Sequence, residues 1–176
     1  ESFLQDGQGW IENNIDACRL LYYCYTQIQK PEAGLSWLLE SLKYDAPRAE
    51  ICCEIGQYFL ERHAYPPAIF WYETAASRPR SDYGGGFVLP DCYGYIPFLQ
   101  LCVCYDPLGD PAKAAEYNEK AGKLKPSSPA VQYNRRYFLS QGIVPSAVDG
   151  LPAEGKSGEP SRFGKDPDDQ PGHGNP

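Results

Sequence analysis

The stretch Phe98–Pro126 constrains the fold of this chain more than any other part of its 176 residues. Apolar residues recur at helical spacing from Phe98 to Tyr105 and again from Ala114 to Leu124. A Leu-Gly-Asp-Pro turn at 108–111 separates the two segments, and Pro126 ends the second. Neither segment can bury its apolar stripe alone. The stretch therefore predicts two short antiparallel helices that pack against each other and against their neighbours.

A second part of the chain repeats this pattern. Gly56 and Ala68 are twelve positions apart, as are Cys102 and Ala114, and small residues at such positions let two helices approach closely. The residues that follow also correspond, because Ala68, Tyr72 and Ala75 match Ala114, Asn118 and Ala121. This spacing resembles the tetratricopeptide repeat. The resemblance implies an all-α fold in which antiparallel helix pairs stack as a tetratricopeptide-like right-handed solenoid of about three and a half repeats, followed by an irregular tail.

The predicted organisation has one repeat domain with irregular segments on either side. Its parts are an N-terminal connector at 1–14, a repeat domain at 15–141 with a glycine-rich insertion at 80–94, and an extended or disordered tail at 142–176. The insertion is inferred from spacing, because Gly56 and Cys102 are 46 residues apart where a repeat of about 34 is expected.

The bounds of three helices are predicted from prolines, glycines and N-terminal capping residues. The first pair is predicted at Ile15–Ile28 and Pro31–Asp45, with Pro31 in the first turn of the second helix. A lone final helix is predicted at Ala130–Gln141 after the Ser127-Ser128-Pro129 start signal. A single terminal helix is a common way for such arrays to cover their last apolar face.

Composition excludes several classes of partner. A net charge of -7 and a pI near 4.8 argue against nucleic acid, which is bound largely through clustered Lys and Arg. No apolar run approaches the roughly 20 residues of a membrane helix, so no membrane association is expected. The seven cysteines are an odd number and fall mostly in helical apolar patterns, which predicts reduced core thiols in a cytoplasmic protein. The absence of methionine suggests a fragment or a processed chain.

The sequence predicts no metal, no cofactor and no catalytic residue. Cys102 and Cys104 point to different faces of one helix, and the adjacent Cys52 and Cys53 also diverge. His63 lies near a helix end, where a solvated or capping role is expected. No Ser-His-Asp or Cys-His arrangement can be proposed.

Three acidic or glycine-rich motifs are also interpreted as structural or solvated. Asp166-Pro167-Asp168 has the form of a metal-binding Asp-x-Asp, but it lies among Pro and Gly instead of after a buried strand. The glycines at 84–86 lack the Lys-Ser/Thr of a P-loop. Glu50 and Glu54 are predicted to lie on a solvated helix face.

The tetratricopeptide resemblance also implies a concave groove lined by the first helix of each pair. The groove positions map onto Leu20, Cys24, Cys53, Gln57, Leu99, Val103, Tyr133 and Tyr137. This lining is apolar and aromatic, so a partner would bind through such contacts. One subclass of the family grips a terminal carboxylate with Lys, Arg and Asn, but this chain has Leu20, Cys24, Glu54, Ile96 and Gln100 there. The alternative is that the groove residues pack against neighbouring helices or the tail.

Longer strings are similar to a more specific family. PRAEICCEIGQYFLE, AIFWYETA, GGFVLPDCYGYIPFLQLCVCYDPLGD and AEYNEKAGKLKP resemble the C-terminal helical repeat region of bacterial family 2 glycosyltransferases, over residues 15–141. In that family a GT-A domain upstream carries the Asp-x-Asp, so no catalytic residue carries over to this chain. The resemblance implies a protein-binding or assembly scaffold whose partner is a polypeptide or another subunit. The alternatives are a fragment of an active nucleotide-sugar transferase whose GT-A domain is absent here, and a self-assembling structural subunit.

Overall fold

The computed structural model describes residues 10–80 and 88–144, which form seven α-helices and contain no β-strand. The helices are α1 (Ile11–Gln27), α2 (Pro31–Glu40), α3 (Ala49–Leu60), α4 (Tyr65–Ser77), α5 (Tyr95–Tyr105), α6 (Pro111–Leu124) and α7 (Pro129–Ser140). Short 3-10 turns at Ser41–Lys43 and Pro90–Tyr93 follow α2 and precede α5. The predicted all-α class is confirmed for these residues. None of their helices is both long and apolar enough to cross a membrane.

Helix boundaries differ from the predicted ones mainly at the start of the chain. α1 begins at Ile11 instead of Ile15, so part of the predicted connector is helical. The extra turn is held in place because Glu12 is buried and forms an ion pair with Arg48, just before α3. The second helix gives way to a 3-10 turn after Glu40, short of the predicted end at Asp45. Residues 1–9 of the connector, 81–87 of the insertion and 145–176 of the tail lie outside the described residues.

Several helix ends have the local chemistry expected from the sequence. The side chain of Asp110 caps α6 by accepting a hydrogen bond from the backbone N–H of Lys113 at 3.1 Å. Ser128 caps α7 by accepting from the N–H of Val131 at 3.3 Å, as the start signal predicted. The turn between α5 and α6 passes through Gly109 at φ +79°, a conformation that favours glycine.

The helices pack as three successive pairs and a final helix. The most extensive contacts join α1 to α2, α3 to α4, and α5 to α6. Between pairs, α4 packs on α5, and α7 packs on α6. The first helices of neighbouring units also meet, since Arg19 of α1 binds Glu54 of α3, and Asn134 of α7 donates to the Sγ of Cys102 of α5.

The two repeated stripes are buried as the sequence predicted. Each of their six residues is at most 1% exposed: Ala68, Tyr72, Ala75, Ala114, Asn118 and Ala121. The need for a small residue at Gly56 is visible in the packing, because a Cβ placed there would lie 3.0 Å from the ring of Tyr72. The close approach of α3 and α4 therefore depends on glycine at this position.

The buried apolar residues form three clusters that share aromatic rings. The second pair and α5 surround the largest cluster, which includes Cys52, Tyr72 and Leu101. A second cluster joins the first pair to α3 through Ile15, Leu38, Ile51 and Ile55, and a third joins α5, α6 and α7. Phe59 and Trp71 pack against the first and second clusters, and Tyr105 and Tyr117 against the first and third.

Candidate functional site

A concave surface lies between α1 and α3, and we call it the α1/α3 groove. It consists of two adjoining hollows of about 400 and 290 Å³ that share Arg19 and Glu54. The larger hollow is lined by Asp16, Arg19, Leu20, Tyr23 and Glu54. The smaller is lined by Arg19, Tyr22, Glu50, Cys53, Glu54, Gln57, Tyr72, Leu89, Cys92 and Ile96.

The two helices present matching faces to this groove. On α1, apart from Tyr22, the lining positions are 16, 19, 20 and 23, and on α3 they are 50, 53, 54 and 57. Both sets have the i, i+3, i+4, i+7 spacing of one helix face. Each α3 position stands 34 residues after its α1 counterpart. The groove is therefore formed by equivalent faces of two successive first helices.

An ion pair joins α1 and α3 where the two hollows meet. Arg19 donates from Nε and from a terminal nitrogen to Oε1 of Glu54, at 3.0 and 2.7 Å, and lies 3.8 Å from the carboxylate of Asp16. Oε2 of Glu54 is enclosed and has no hydrogen-bond partner among the described residues. Burial raises the pKa of the Glu54 carboxyl, and Arg19 offsets part of that rise.

Glu50 is a buried carboxylate that holds the segment before α5 in place. Leu89 and Cys92 of that segment form one wall of the smaller hollow. The Oε1 of Glu50 accepts from the backbone N–H of Leu89 at 2.8 Å, and its Oε2 accepts from the hydroxyl of Tyr93 at 3.2 Å. Burial, followed by the charge of Glu50, raises the pKa of Tyr93 to about 12, which keeps its hydroxyl a donor. The prediction that Glu50 is solvated is wrong, because it is 3% exposed. Glu54 is half-buried and paired, so it too departs from that prediction.

Three of the predicted groove residues line the α1/α3 groove. Leu20 is 65% exposed and forms one wall of the larger hollow. Cys53 and Gln57 line the smaller one. The thiol of Cys53 is nonetheless buried and donates to the carbonyl of Cys92 at 3.7 Å. The side-chain oxygen of Gln57 accepts from the hydroxyl of Tyr72 at 3.2 Å. Leu20 is thus the most accessible of the three.

The other five predicted residues are not among those that line either hollow. Cys24 is exposed on α1, one turn beyond Leu20. On α5, Leu99 packs against the largest core cluster and Val103 is exposed. On α7, Tyr133 is 71% exposed, and the hydroxyl of Tyr137 donates to Asp106 at 3.3 Å. The predicted set therefore divides, with three residues in the groove lining and five on other parts of α1, α5 and α7.

Sequence reasoning missed several lining residues, among them Arg19, Tyr22 and Tyr23. A usable signal was present, because the 34-residue offset from Cys53 and Gln57 leads to Arg19 and Tyr23, one position before the predicted Leu20 and Cys24. Applying this 34-residue offset would have identified Arg19 and Tyr23 as lining residues. No comparable signal was available for Leu89 and Cys92, because they lie within the predicted insertion, where the repeat register does not apply.

The cysteines differ sharply in accessibility. All seven are free thiols, and all but Cys24 are buried. Burial raises the pKa of Cys18 to about 11 and that of Cys52, Cys102 and Cys104 to about 12. A hydrogen bond with Cys92, together with burial, raises the pKa of Cys53. These thiols are therefore poor nucleophiles near neutral pH.

We expect an aromatic disulfide reagent at about pH 8 to modify one thiol rapidly and the others slowly, because the thiolate is the reacting species and Cys24 is the exposed cysteine. The measurement is the time course of reagent release, repeated in denaturant to count all seven thiols. Cys24→Ser should abolish the rapid phase. A rapid phase that survives this substitution would contradict the assignment.

His63 and the acidic residues do not form a metal site in the described part of the chain. His63 is exposed in the turn between α3 and α4, at φ +54°, with its Nδ1 3.2 Å from the hydroxyl of Tyr65. Within residues 10–80 and 88–144, no group of three or more His, Cys, Asp or Glu side chains could hold a metal ion. The Asp-x-Asp at 166–168 lies outside the described residues.

Models of known protein families do not match this chain, and a search among curated proteins gives no match either. The chemistry that the groove offers is therefore described from its own side chains. They offer an open apolar wall at Leu20 and Tyr23, a paired guanidinium, and more than one carboxylate. This combination suits the binding of an extended segment that carries both apolar and polar groups.

Proposed function

We propose that this chain is a polypeptide-binding module with tetratricopeptide-like repeats and that the α1/α3 groove is its binding surface. The observation that carries the proposal is the pair of adjoining hollows with Leu20 and Tyr23 exposed at 65% and 61% on their edge. Exposed apolar side chains beside a concavity are typical of surfaces that bind a partner.

The arrangement of the helices supports a solenoid of repeats. Three pairs and a final helix succeed one another, and equivalent faces of α1 and α3 stand 34 residues apart, which is the tetratricopeptide period. Contacts between α1 and α3, and between α5 and α7, place first helices next to first helices. An array built in this way presents its first helices along one face, where an extended polypeptide can bind.

The proposed context is the C-terminal part of a glycosyltransferase, where the module would position an acceptor polypeptide or join subunits. Its support is the similarity of the four strings named above, including the glycine-rich insertion. The buried thiols suit a reducing compartment such as the cytoplasm. Sequencing the coding region upstream of residue 1 tests the context. An alternating strand and helix domain with an Asp-x-Asp supports it, and an unrelated domain contradicts it.

We expect Leu20→Ser to weaken binding of peptides selected from a random displayed library by about tenfold or more, because it removes an apolar contact at the edge of the groove. The affinity would be measured by titration calorimetry. Leu139→Ser is the matched control, since Leu139 is 56% exposed on α7 and lies outside the groove lining. Neither change should alter the helical circular dichroism. Equal binding by the wild type and Leu20→Ser would contradict the proposed surface.

A further inference from the structure

The carboxylates of the α1/α3 groove outnumber its cations. Asp16, Glu50 and Glu54 line the two hollows, whereas Arg19 is the one cationic side chain in the described lining. Glu50 is already engaged by Leu89 and Tyr93. Asp16 and Glu54 are thus left to share a single guanidinium.

The hydrogen bonds of that guanidinium leave acceptors unused. Both donors of Arg19 that reach Glu54 go to Oε1, and Oε2 has no partner within the described residues. Asp16 lies 3.8 Å from Arg19, beyond ordinary hydrogen-bond distance. The terminal torsion of a Glu side chain is soft, so a modest rotation turns Oε2 toward the hollow. A second cation at this place would satisfy both carboxylates.

The next turn of α3 extends the negative charge. The side-chain nitrogen of Gln57 donates to Glu61 at 2.9 Å, which places a further carboxylate beside the groove lining. The neighbouring Arg62 offsets this charge only in part, because its guanidinium lies over the ring of Tyr58 and contacts Glu32 of α2. The local field therefore favours cations and disfavours phosphate or carboxylate groups.

The wall of the larger hollow suits the stem of a long basic side chain. Leu20 and Tyr23 lie on the same helix face as Asp16, at i+4 and i+7. Lys and Arg side chains cover apolar surface with their methylenes while the charged group seeks a polar partner. A tyrosine ring additionally attracts a nearby cation. Apolar wall and carboxylates thus lie within the reach of one side chain.

We propose, resting on the polypeptide-binding function above, that the α1/α3 groove recognises a basic residue of its partner. The ammonium or guanidinium group lies between the carboxylates of Asp16 and Glu54, and the aliphatic stem lies on Leu20 and Tyr23. The partner is therefore a polypeptide segment with an Arg or Lys flanked by apolar residues.

The test uses peptides selected from a random displayed library and their neutral counterparts, in which each Arg is replaced by citrulline or each Lys by norleucine. We expect the neutral counterparts to bind about tenfold more weakly or worse, because a charge-assisted hydrogen bond is lost. Asp16→Asn and Glu54→Gln should weaken binding of the basic peptide by a larger factor than binding of the neutral one. Raising the salt from about 50 to about 300 mM should weaken the basic peptide alone.

Two controls keep the outcomes separate. Glu73→Gln removes an exposed carboxylate of α4 outside the groove lining and should leave affinity unchanged. Asp16→Asn serves if Glu54→Gln disturbs folding, since the Asp16 side chain is 33% exposed. Equal binding of basic and neutral peptides would overturn the recognition of a basic residue. If Leu20→Ser nevertheless weakened binding, the proposed polypeptide-binding function would stand. If Leu20→Ser also had no effect, both that function and the recognition of a basic residue would be refuted.

Discussion

Replacing Tyr72 by alanine is expected to lower the free energy of unfolding by about 3–5 kcal/mol, the range for deleting a buried aromatic ring. Tyr72 is 1% exposed, and its ring packs against the backbone of Gly56. Its hydroxyl donates to Gln57. Removing the ring leaves a cavity where α3 and α4 are closest, and the surrounding helices can only partly collapse into it. The loss therefore includes packing as well as burial.

The matched control is Phe70→Ala, two residues earlier on the same helix. Phe70 is 60% exposed and makes an edge contact with Trp71, so we expect a loss of no more than about 1.5 kcal/mol. The measurement is urea unfolding followed by circular dichroism under reducing conditions. Tyr72→Phe separates the hydroxyl from the ring and should cost about 0.5–1.5 kcal/mol. Similar losses for Tyr72→Ala and Phe70→Ala would show that α3 and α4 do not pack as described.

Glu50→Ala is expected to destabilise the chain by about 2–4 kcal/mol, because it leaves two donors without their charged acceptor. The first is the N–H of Leu89 and the second is the hydroxyl of Tyr93. Glu50 also lies in the first turn of α3, where a negative charge interacts favourably with the helix dipole. The substitution should therefore loosen the entry to α5 as well as the start of α3.

Amide hydrogen exchange measures the local effect of Glu50→Ala on the backbone. The amide of Leu89 should lose protection in Glu50→Ala by a larger factor than the amide of Cys92, whose acceptor is the backbone carbonyl of Leu89. Glu73→Ala is the matched control, because Glu73 accepts from two tyrosine hydroxyls but is exposed. We expect it to cost less than about 1 kcal/mol. Unchanged protection of Leu89 in Glu50→Ala would refute the anchoring role.

The helices and their buried stripes could be predicted because the signals are local. The spacing from Ala68 to Ala75 and from Ala114 to Ala121 depends on helix periodicity and on small residues, which the sequence displays directly. The Asp110 and Ser128 caps are local in the same way. The early start of α1 was missed because the partner of Glu12 is Arg48, 36 residues away.

The groove could be predicted only in part, for the same physical reason. Glu50 lies in the first turn of α3, and no nearby residue in the sequence indicates whether its carboxylate is solvated or buried. Its partners Leu89 and Tyr93 follow 39 and 43 residues later, within the predicted insertion. The family positions led to Leu20, Cys53 and Gln57. They could not reveal that Leu89 and Cys92 would complete the wall.

The sharing of aromatic rings between clusters limits how this chain can be taken apart. Phe59 and Trp71 belong to two cores at once, and so do Tyr105 and Tyr117. If one helix pair were transferred alone, the neighbouring pair would lose aromatic rings from its core. The transferred pair would also expose the ring faces that had packed against that neighbour. Both junctions between consecutive pairs contain such shared rings, so we expect the three pairs and the final helix to be transferable only as one unit.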